Sequence, residues 1–110
     1  MYEQGDILLI PIPYTDLTTS KQRPVLVLSN NRYNQNSRDF HVAAITSQLK
    51  NLDYSVVIDT SDLAEGELRM TSVIRADKLY TLSKRIVKRK FGRVNENVMN
   101  NVIEKINGLF

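Results

Sequence analysis

The strongest constraint on the fold is a succession of short apolar runs separated by polar, turn-rich segments. Pro24–Leu28 reads Pro-Val-Leu-Val-Leu, and a short continuous run rich in β-branched residues is typical of a strand buried on both faces. The same reasoning predicts strands at Asp6–Ile12, Phe40–Thr46, Tyr54–Ile58, Thr71–Leu82 (one long strand or two short ones) and Ile86–Phe91. Five to seven short strands predict a small, mainly β, strongly bent barrel.

The segments between these runs are polar and rich in turn-forming residues. Tyr14–Gln22 and Asn30–Asp39 are expected to be loops, and Thr60–Gly66 a turn or a single helical turn. Pro11 and Pro13 close the first apolar run. Because proline cannot donate to a β-ladder, they predict an edge strand or the end of a strand.

The C-terminal segment changes to a helical period. Val98, Met99, Val102, Ile103 and Ile106 fall on one face of a helix. Asn95 is placed as its N-cap, Glu96 suits the first turn, and Gly108 suits the C-terminal stop. This apolar face must cover either the mouth of the barrel or a second subunit.

Length and composition narrow the class of protein. With 110 residues, 42% of them hydrophobic, we expect a single domain spanning 1–110. The absence of cysteine excludes disulfides, zinc–thiolate sites and thiol nucleophiles. The absence of cysteine also fits a reducing, cytoplasmic location. No apolar run reaches the roughly 18 residues of a transmembrane helix, so no membrane association is expected.

The charge of the chain is unevenly distributed. Residues 69–93 carry nine basic side chains and one acid, a net charge of +8, whereas the remainder carries six basic and eleven acidic residues, a net charge of −5. A surface polarised in this way attracts polyanions such as nucleic acid. A solvated basic edge is the alternative.

The basic segment contains the run Val73-Ile74-Arg75-Ala76-Asp77. Residues two apart in a strand point to the same face, so Arg75 and Asp77 are expected side by side. Asp77 is the single acid of the segment. The pair is either a surface ion pair or a proton-transfer and phosphate-binding unit.

The residue types present favour one kind of reaction. His41 is the sole histidine, and neither a metal-ligand spacing nor a phosphate-binding glycine loop is present. No metal or other cofactor is expected. RNA cleavage by attack of its own 2′-hydroxyl requires only a base, cations and hydroxyl or N–H donors, and a carboxylate and arginines can serve there.

Several motifs in the same order resemble the MazF/PemK (Kid-like) toxin family of bacterial toxin–antitoxin systems, over nearly the whole chain. They are Gly5-Asp6-Ile7, Arg23-Pro24-Val25-Leu26-Val27, Ala44-Ile45-Thr46-Ser47, Val73-Ile74-Arg75-Ala76-Asp77, Thr81-Leu82 and Val98-Met99-Asn100. The resemblance implies an SH3-like barrel of the CcdB/PemK kind with a C-terminal helix, forming a homodimer.

The resemblance also implies a metal-independent, sequence-selective endoribonuclease. Such an enzyme cleaves single-stranded mRNA to 2′,3′-cyclic phosphate and 5′-hydroxyl ends and so stops growth. The implied partners are RNA, a cognate acidic antitoxin and, through the antitoxin complex only, operator DNA.

The resemblance assigns roles to individual residues. Asp77 is the expected base, Arg75 and Arg23 bind phosphate, and Thr46 donates to a phosphoryl oxygen; which arginine protonates the leaving oxygen stays open. The expected RNA-binding residues are Ser47, Gln48, Thr19, Lys21, Lys78, Lys84 and Arg85.

Two departures and two alternatives accompany the resemblance. Residues 14–22 contain neither the histidine of the PemK branch nor, at Thr18–Lys21, the glycine and acid common in MazF. The alternatives are a CcdB-like gyrase inhibitor, which grips protein, and a degenerate paralogue that only binds RNA or antitoxin.

Overall fold

The computed structural model describes residues 2–11, 21–50 and 53–110. In these ranges the chain forms seven strands and two α-helices, with short 3-10 helices at Thr60–Asp62 and Lys84–Ile86. The elements, in chain order, are β1 (Asp6–Pro11), β2 (Gln22–Val27), α1 (Asn31–Asn36), β3 (Asp39–Thr46), β4 (Ser55–Ile58), β5 (Leu63–Glu65), β6 (Ser72–Ser83), β7 (Arg89–Val94) and α2 (Glu96–Asn107).

The described strands form one antiparallel sheet in the order β4-β6-β3-β2-β1-β7-β5. Three irregularities interrupt its ladders, one of them between Leu63 and Glu65 where β5 pairs with β7. The pairing of β3 with β6 jumps from Ala43↔Leu79 to Ala44↔Arg75, and the pairing of β1 with β7 skips Phe91. Because bulges bend a strand and sharpen its twist, the sheet curls into a half-barrel. The expected mainly β fold with a C-terminal helix is confirmed.

The curled sheet buries both of its faces. In β2, Leu26 joins a cluster on the side of α2, whereas Val25 and Val27 join a second cluster around Phe40 on the far side. The side chains of Val25, Leu26 and Val27 are therefore all excluded from water. This confirms the interpretation of the continuous run after Pro24 as a strand buried on both faces.

Helix α2 covers the core of its own chain. The Asn95 side chain accepts a hydrogen bond from the backbone N–H of Val98, and the helix ends at Gly108. Val98 and Val102 are buried in the helix-side cluster. Of the two surfaces that the apolar face could cover, the structure selects the barrel.

Several details differ from the sequence-based expectations. Part of the expected loop at Asn30–Asp39 is helix α1, which begins because the Asn30 side chain accepts from the N–H of Tyr33. Asn34 is the buried residue of α1, and its amide donates to the Ser29 carbonyl. Strand β1 ends at Pro11 but is not an edge, since β2 and β7 flank it.

The expected turn after Thr60 contains strand β5, and the last strand begins at Arg89, three residues later than expected. Val87 closes the preceding 3-10 helix through its backbone N–H and thereby delays β7.

Candidate active site

Arg23 and Thr46 lie next to each other at the ends of two paired strands. Val25 of β2 is opposite Ala44 of β3. Arg23 lies two residues before Val25, and Thr46 lies two residues after Ala44. In an antiparallel pair the two residues are therefore opposite each other and on the same face. Both side chains line the same two adjoining cavities, of about 260 and about 570 Å³.

The smaller cavity contains the polar end of β3. Thr46, Ser47 and Gln48 line it together with Arg23 and Tyr80, above an apolar floor that includes Ile10 and Val25. The Oγ1 atom of Thr46 accepts a hydrogen bond from the Gln48 backbone N–H at 3.2 Å, so the Thr46 hydroxyl hydrogen is available to a ligand.

Arg23 is an exposed cation that forms no ion pair with an acid of the described part of the chain. The ion pairs found there involve the basic residues Arg75, Lys90 and Arg93 but not Arg23. A guanidinium beside a hydroxyl at the edge of a concave surface matches the oxygens of a phosphate.

Arg75 and Asp77 form the side-by-side pair that the sequence predicts. Arg75 Nε donates to Asp77 Oδ1 and Arg75 Nη2 to Asp77 Oδ2, both at 2.8 Å. These bonds hold the pKa of the Asp77 carboxyl below its usual range and raise the pKa of Arg75, although partial burial opposes both shifts. Asp77 is therefore ionised at neutral pH.

The pair lies one strand away from Thr46. Arg75 is directly opposite Ala44, which lines the smaller cavity. Tyr80 lines the smaller cavity, and its electrostatic interaction with Arg75 is a smaller cause of the raised pKa of Arg75. Tyr80 is thus close to both the cavity and the Arg75–Asp77 pair. The four expected catalytic residues thus lie on three neighbouring strands, but Arg75 and Asp77 line neither cavity.

Some of the expected RNA-binding residues line the cavities and others do not. Ser47 lines both cavities and Gln48 the smaller one. The exposed Lys21 and Lys78 line neither cavity. Thr19 lies outside the described residues.

Lys84 and Arg85 lie in the 3-10 helix that follows Ser83, the last residue of β6. The Lys84 ammonium donates to the backbone carbonyl of Asn34 and so anchors helix α1. The prediction of RNA contacts at Lys84 and Arg85 remains open, and the described cavities do not include them.

The structure adds residues that sequence reasoning did not single out. Tyr80 lines the smaller cavity, and the larger cavity is lined by Glu67, Arg69, Met70, Arg89 and Phe91 in addition to the residues shared by both. The uneven charge of residues 69–93 was the available signal for Arg69 and Arg89. Nothing in the sequence showed that they meet Arg23 across the sheet.

His41 lies outside the candidate site. It is exposed, its Nδ1 is 2.9 Å from the Thr81 hydroxyl, and its ring is 5.1 Å from that of Tyr33. In residues 2–11, 21–50 and 53–110, no three His, Cys, Asp or Glu side chains come together as metal ligands do. No helix in these ranges is long and apolar enough to cross a membrane.

Comparison with known proteins identifies the family. The sequence profile of the PemK-like, MazF-like toxins of type II toxin–antitoxin systems matches residues 3–110. The chain belongs to this family. A search of curated protein sequences finds no significant match.

Solved structures with the same fold include three from two bacterial groups. A mycobacterial endoribonuclease in complex with its cognate antitoxin has a TM-score of 0.80 and 21% identity, over 98% of this chain and 93% of the other. The Mycobacterium tuberculosis toxin MazF-mt6 has a TM-score of 0.74 and 22% identity, over 94% of this chain and 93% of the other. MazE–MazF from Deinococcus radiodurans has a TM-score of 0.79 and 22% identity, over 98% of this chain and 94% of the other. These similarities establish the PemK/MazF fold for the chain.

Proposed function

We propose that this PemK/MazF-family toxin is a metal-independent endoribonuclease that cleaves single-stranded mRNA in a sequence-selective way. The observation that carries the proposal is the position of Arg23, a cation without a described acidic partner, beside the Thr46 hydroxyl in a concave surface. A gyrase inhibitor that acts by gripping protein has no need of this combination.

The proposed reaction is a transesterification within the RNA. The 2′-oxygen attacks the adjacent phosphorus and loses its proton, the bond from phosphorus to the 5′-oxygen breaks, and that oxygen takes up a proton. The products are a 2′,3′-cyclic phosphate and a 5′-hydroxyl end. Charge gathers on the non-bridging oxygens in the transition state, where guanidinium and hydroxyl donors stabilise it.

We assign Arg23 and Thr46 to the non-bridging oxygens and Arg75 to the phosphate from the neighbouring strand. Asp77 remains the proposed base, but its lowered pKa makes it a weak one. Arg75, with its raised pKa, is a poor proton donor and acts as a phosphate-binding group. Most of the rate enhancement must therefore come from electrostatic stabilisation of the phosphorane.

The same surface suits an acidic partner. We propose that a cognate antitoxin places a disordered acidic segment along the arginines of the two cavities and so excludes RNA. Among the similar structures are toxin–antitoxin complexes, which supports this assignment. We also propose a homodimer, a cytoplasmic location and contact with operator DNA only through the antitoxin complex.

The experiment is cleavage of a mixed-sequence RNA by the purified protein in EDTA, with analysis of the end groups. Cyclic-phosphate ends are expected from wild type and from Arg32→Ala, which alters an exposed arginine of α1. They should be lost in Arg23→Ala and Thr46→Ala. Cleavage that persists in both variants would reject the site, and DNA breaks without RNA cleavage in expressing cells would favour gyrase inhibition.

A further inference from the structure

The larger cavity extends beyond the groups that the proposed reaction uses. Its outer wall consists of the loop 67–70 on one side and Arg89 and Phe91 of β7 on the other. Its volume of about 570 Å³ falls within the roughly 300–1,000 Å³ of small-molecule sites. Because it shares Arg23, Thr46 and Ser47 with the smaller cavity, a ligand there lies next to the proposed phosphate position.

Close backbone packing holds the loop against β7. Gly66 has a φ of +87°, and a Cβ atom there would lie 2.8 Å from the Phe91 carbonyl oxygen. A Cβ atom at Gly92 would lie 2.6 Å from the Glu65 carbonyl oxygen. Both positions therefore require glycine.

A second set of bonds fixes the middle of the loop. The Thr60 hydroxyl donates to the Leu68 carbonyl at 2.7 Å and accepts from the Leu68 N–H at 2.8 Å. The cavity wall is thus preorganised before any ligand binds.

The wall offers surfaces on which a planar ring can stack. Phe91 is the extra residue of the bulge in β7, and bulges next to active sites commonly re-aim a side chain. The Arg89 guanidinium carbon lies 5.8 Å from the Phe91 ring centroid. Met70 is 62% exposed. Apolar side chains and arginine planes beside cationic groups are the features that bind unstacked bases of single-stranded RNA.

Glu67 adds a hydrogen-bond acceptor to a cavity whose other charged residues are arginines. Glu67 lines the cavity together with Arg23, Arg69 and Arg89, and its carboxylate would repel a phosphate. A carboxylate accepts hydrogen bonds from N–H groups. Adenine, cytosine and guanine present an exocyclic amino group, whereas the one ring N–H of uracil lies between two carbonyl oxygens, which repel a carboxylate.

We propose that the larger cavity binds the nucleobase adjacent to the scissile phosphate and selects a base that carries an exocyclic amino group. Glu67 accepts from the amino group, and Arg89 and Met70 stack on the ring. This inference rests on the proposed ribonuclease function and adds a determinant of the cleavage sequence.

The test has two readouts. The first is sequencing of 5′-hydroxyl ends after digestion of a randomised RNA. The second is fluorescence anisotropy with short RNAs that carry a 2′-deoxy residue at the cleaved position. The variants are Glu67→Gln, Arg89→Ala and Met70→Ala, with Glu104→Gln and Arg32→Ala as matched exposed controls and circular dichroism as the check of folding.

We expect wild type and both controls to disfavour uracil at one flanking position by about ten-fold or more. Glu67→Gln should reduce this discrimination because an amide both donates and accepts. Arg89→Ala and Met70→Ala should weaken binding of the 2′-deoxy RNA about 5- to 150-fold, the effect expected for one stacked base, with a larger change in KM than in kcat.

Two results would overturn the proposal, and they differ. If wild type cleaves RNA without a base preference beside the cut, or if the folded variants behave like their controls, the base-binding role fails and the ribonuclease function stands. If wild type neither binds nor cleaves RNA, both fail together.

Discussion

Arg75 and Asp77 are joined by two parallel hydrogen bonds of 2.8 Å across a single intervening residue of β6. The side chains are 21% and 32% exposed, so water and salt weaken the pair without abolishing it. The two bonds orient the Arg75 guanidinium toward Asp77, while the backbone of Arg75 pairs with Ala44, which lines the smaller cavity.

The pH dependence of cleavage tests the state of Asp77. Because Arg75 holds the pKa of Asp77 below its ordinary value of 3.8, the carboxylate stays ionised as the pH falls, and the ion pair is lost only in stronger acid. We therefore expect no loss of kcat/KM from this group between about pH 8 and pH 5. An acid limb near neutrality that disappears in Asp77→Asn would contradict the lowered pKa.

Replacement of the Asp77 carboxylate tests its role as base. Asp77→Asn should lower kcat by about 10²-fold, the lower end of the range of general base catalysis, because the lowered pKa makes Asp77 a weak base. The free energy of unfolding should be nearly unchanged. Asp53→Asn, on an exposed carboxyl outside the cavities, is the matched control. Single-turnover cleavage of a defined RNA measures the effect. A variant as active as the control would mean that Asp77 does not take the proton.

The Thr46 hydroxyl is expected to act as a donor in the transition state. Thr46→Val keeps the shape of the side chain but removes the O–H group, so kcat should fall by about 10²- to 10³-fold, as for the loss of one oxyanion donor. Thr46→Ser retains the hydroxyl and should retain most of the activity. Equal losses in the two variants would show that the methyl group, rather than the hydroxyl, is required.

The contact between Gly92 and Glu65 predicts a stability effect. Gly92→Ala places a Cβ atom 2.6 Å from a backbone oxygen, and such overpacking should lower the free energy of unfolding by about 1–3 kcal/mol. Gly108→Ala is the control, since Gly108 has helical φ and ψ and its nearest contact would be 3.4 Å. Urea denaturation of both variants decides; similar midpoints would disprove the close packing.

The buried carboxylate of Asp6 should contribute to stability. It is 1% exposed and accepts hydrogen bonds at 2.9 Å from the Glu3 N–H and from Arg93 Nε, with Lys90 Nζ at 3.4 Å. Asp6→Ala removes the acceptor of the Glu3 N–H and of Arg93 Nε, whereas Lys90 keeps its bond to Glu65. The substitution should cost about 2 kcal/mol.

Thermal unfolding measures the effect of Asp6→Ala. The exposed Asp53→Ala variant should stay within about 0.5 kcal/mol of wild type. A loss no greater than that of the control would show that the Asp6 network is replaced by water.

Local patterns predicted most of the elements because they depend on neighbours in the chain. The period of the C-terminal segment and its caps placed α2 between Asn95 and Gly108, and alternation by two placed Arg75 beside Asp77. Helix α1 was missed because its start depends on the Asn30 side chain and its anchoring on Lys84, fifty residues away. Of the two alternatives for the prolines after β1, the strand end is confirmed at Pro11 and the edge position is not, because strand order is set by long-range pairing.

The sequence by itself determined the fold class, the family and the chemical types at the site, since motif order and periodicity are properties of the chain. Only the tertiary structure decided which charges act together. Strand register puts Arg23 beside Thr46, and the curl of the sheet brings Glu67, Arg69 and Arg89 to the same cavity while Lys84 is used to anchor α1. The physical reason is that register and curvature arise from contacts between residues far apart in the chain. One residue of slip in β2 or β3 would move Arg23 or Thr46 to the opposite face.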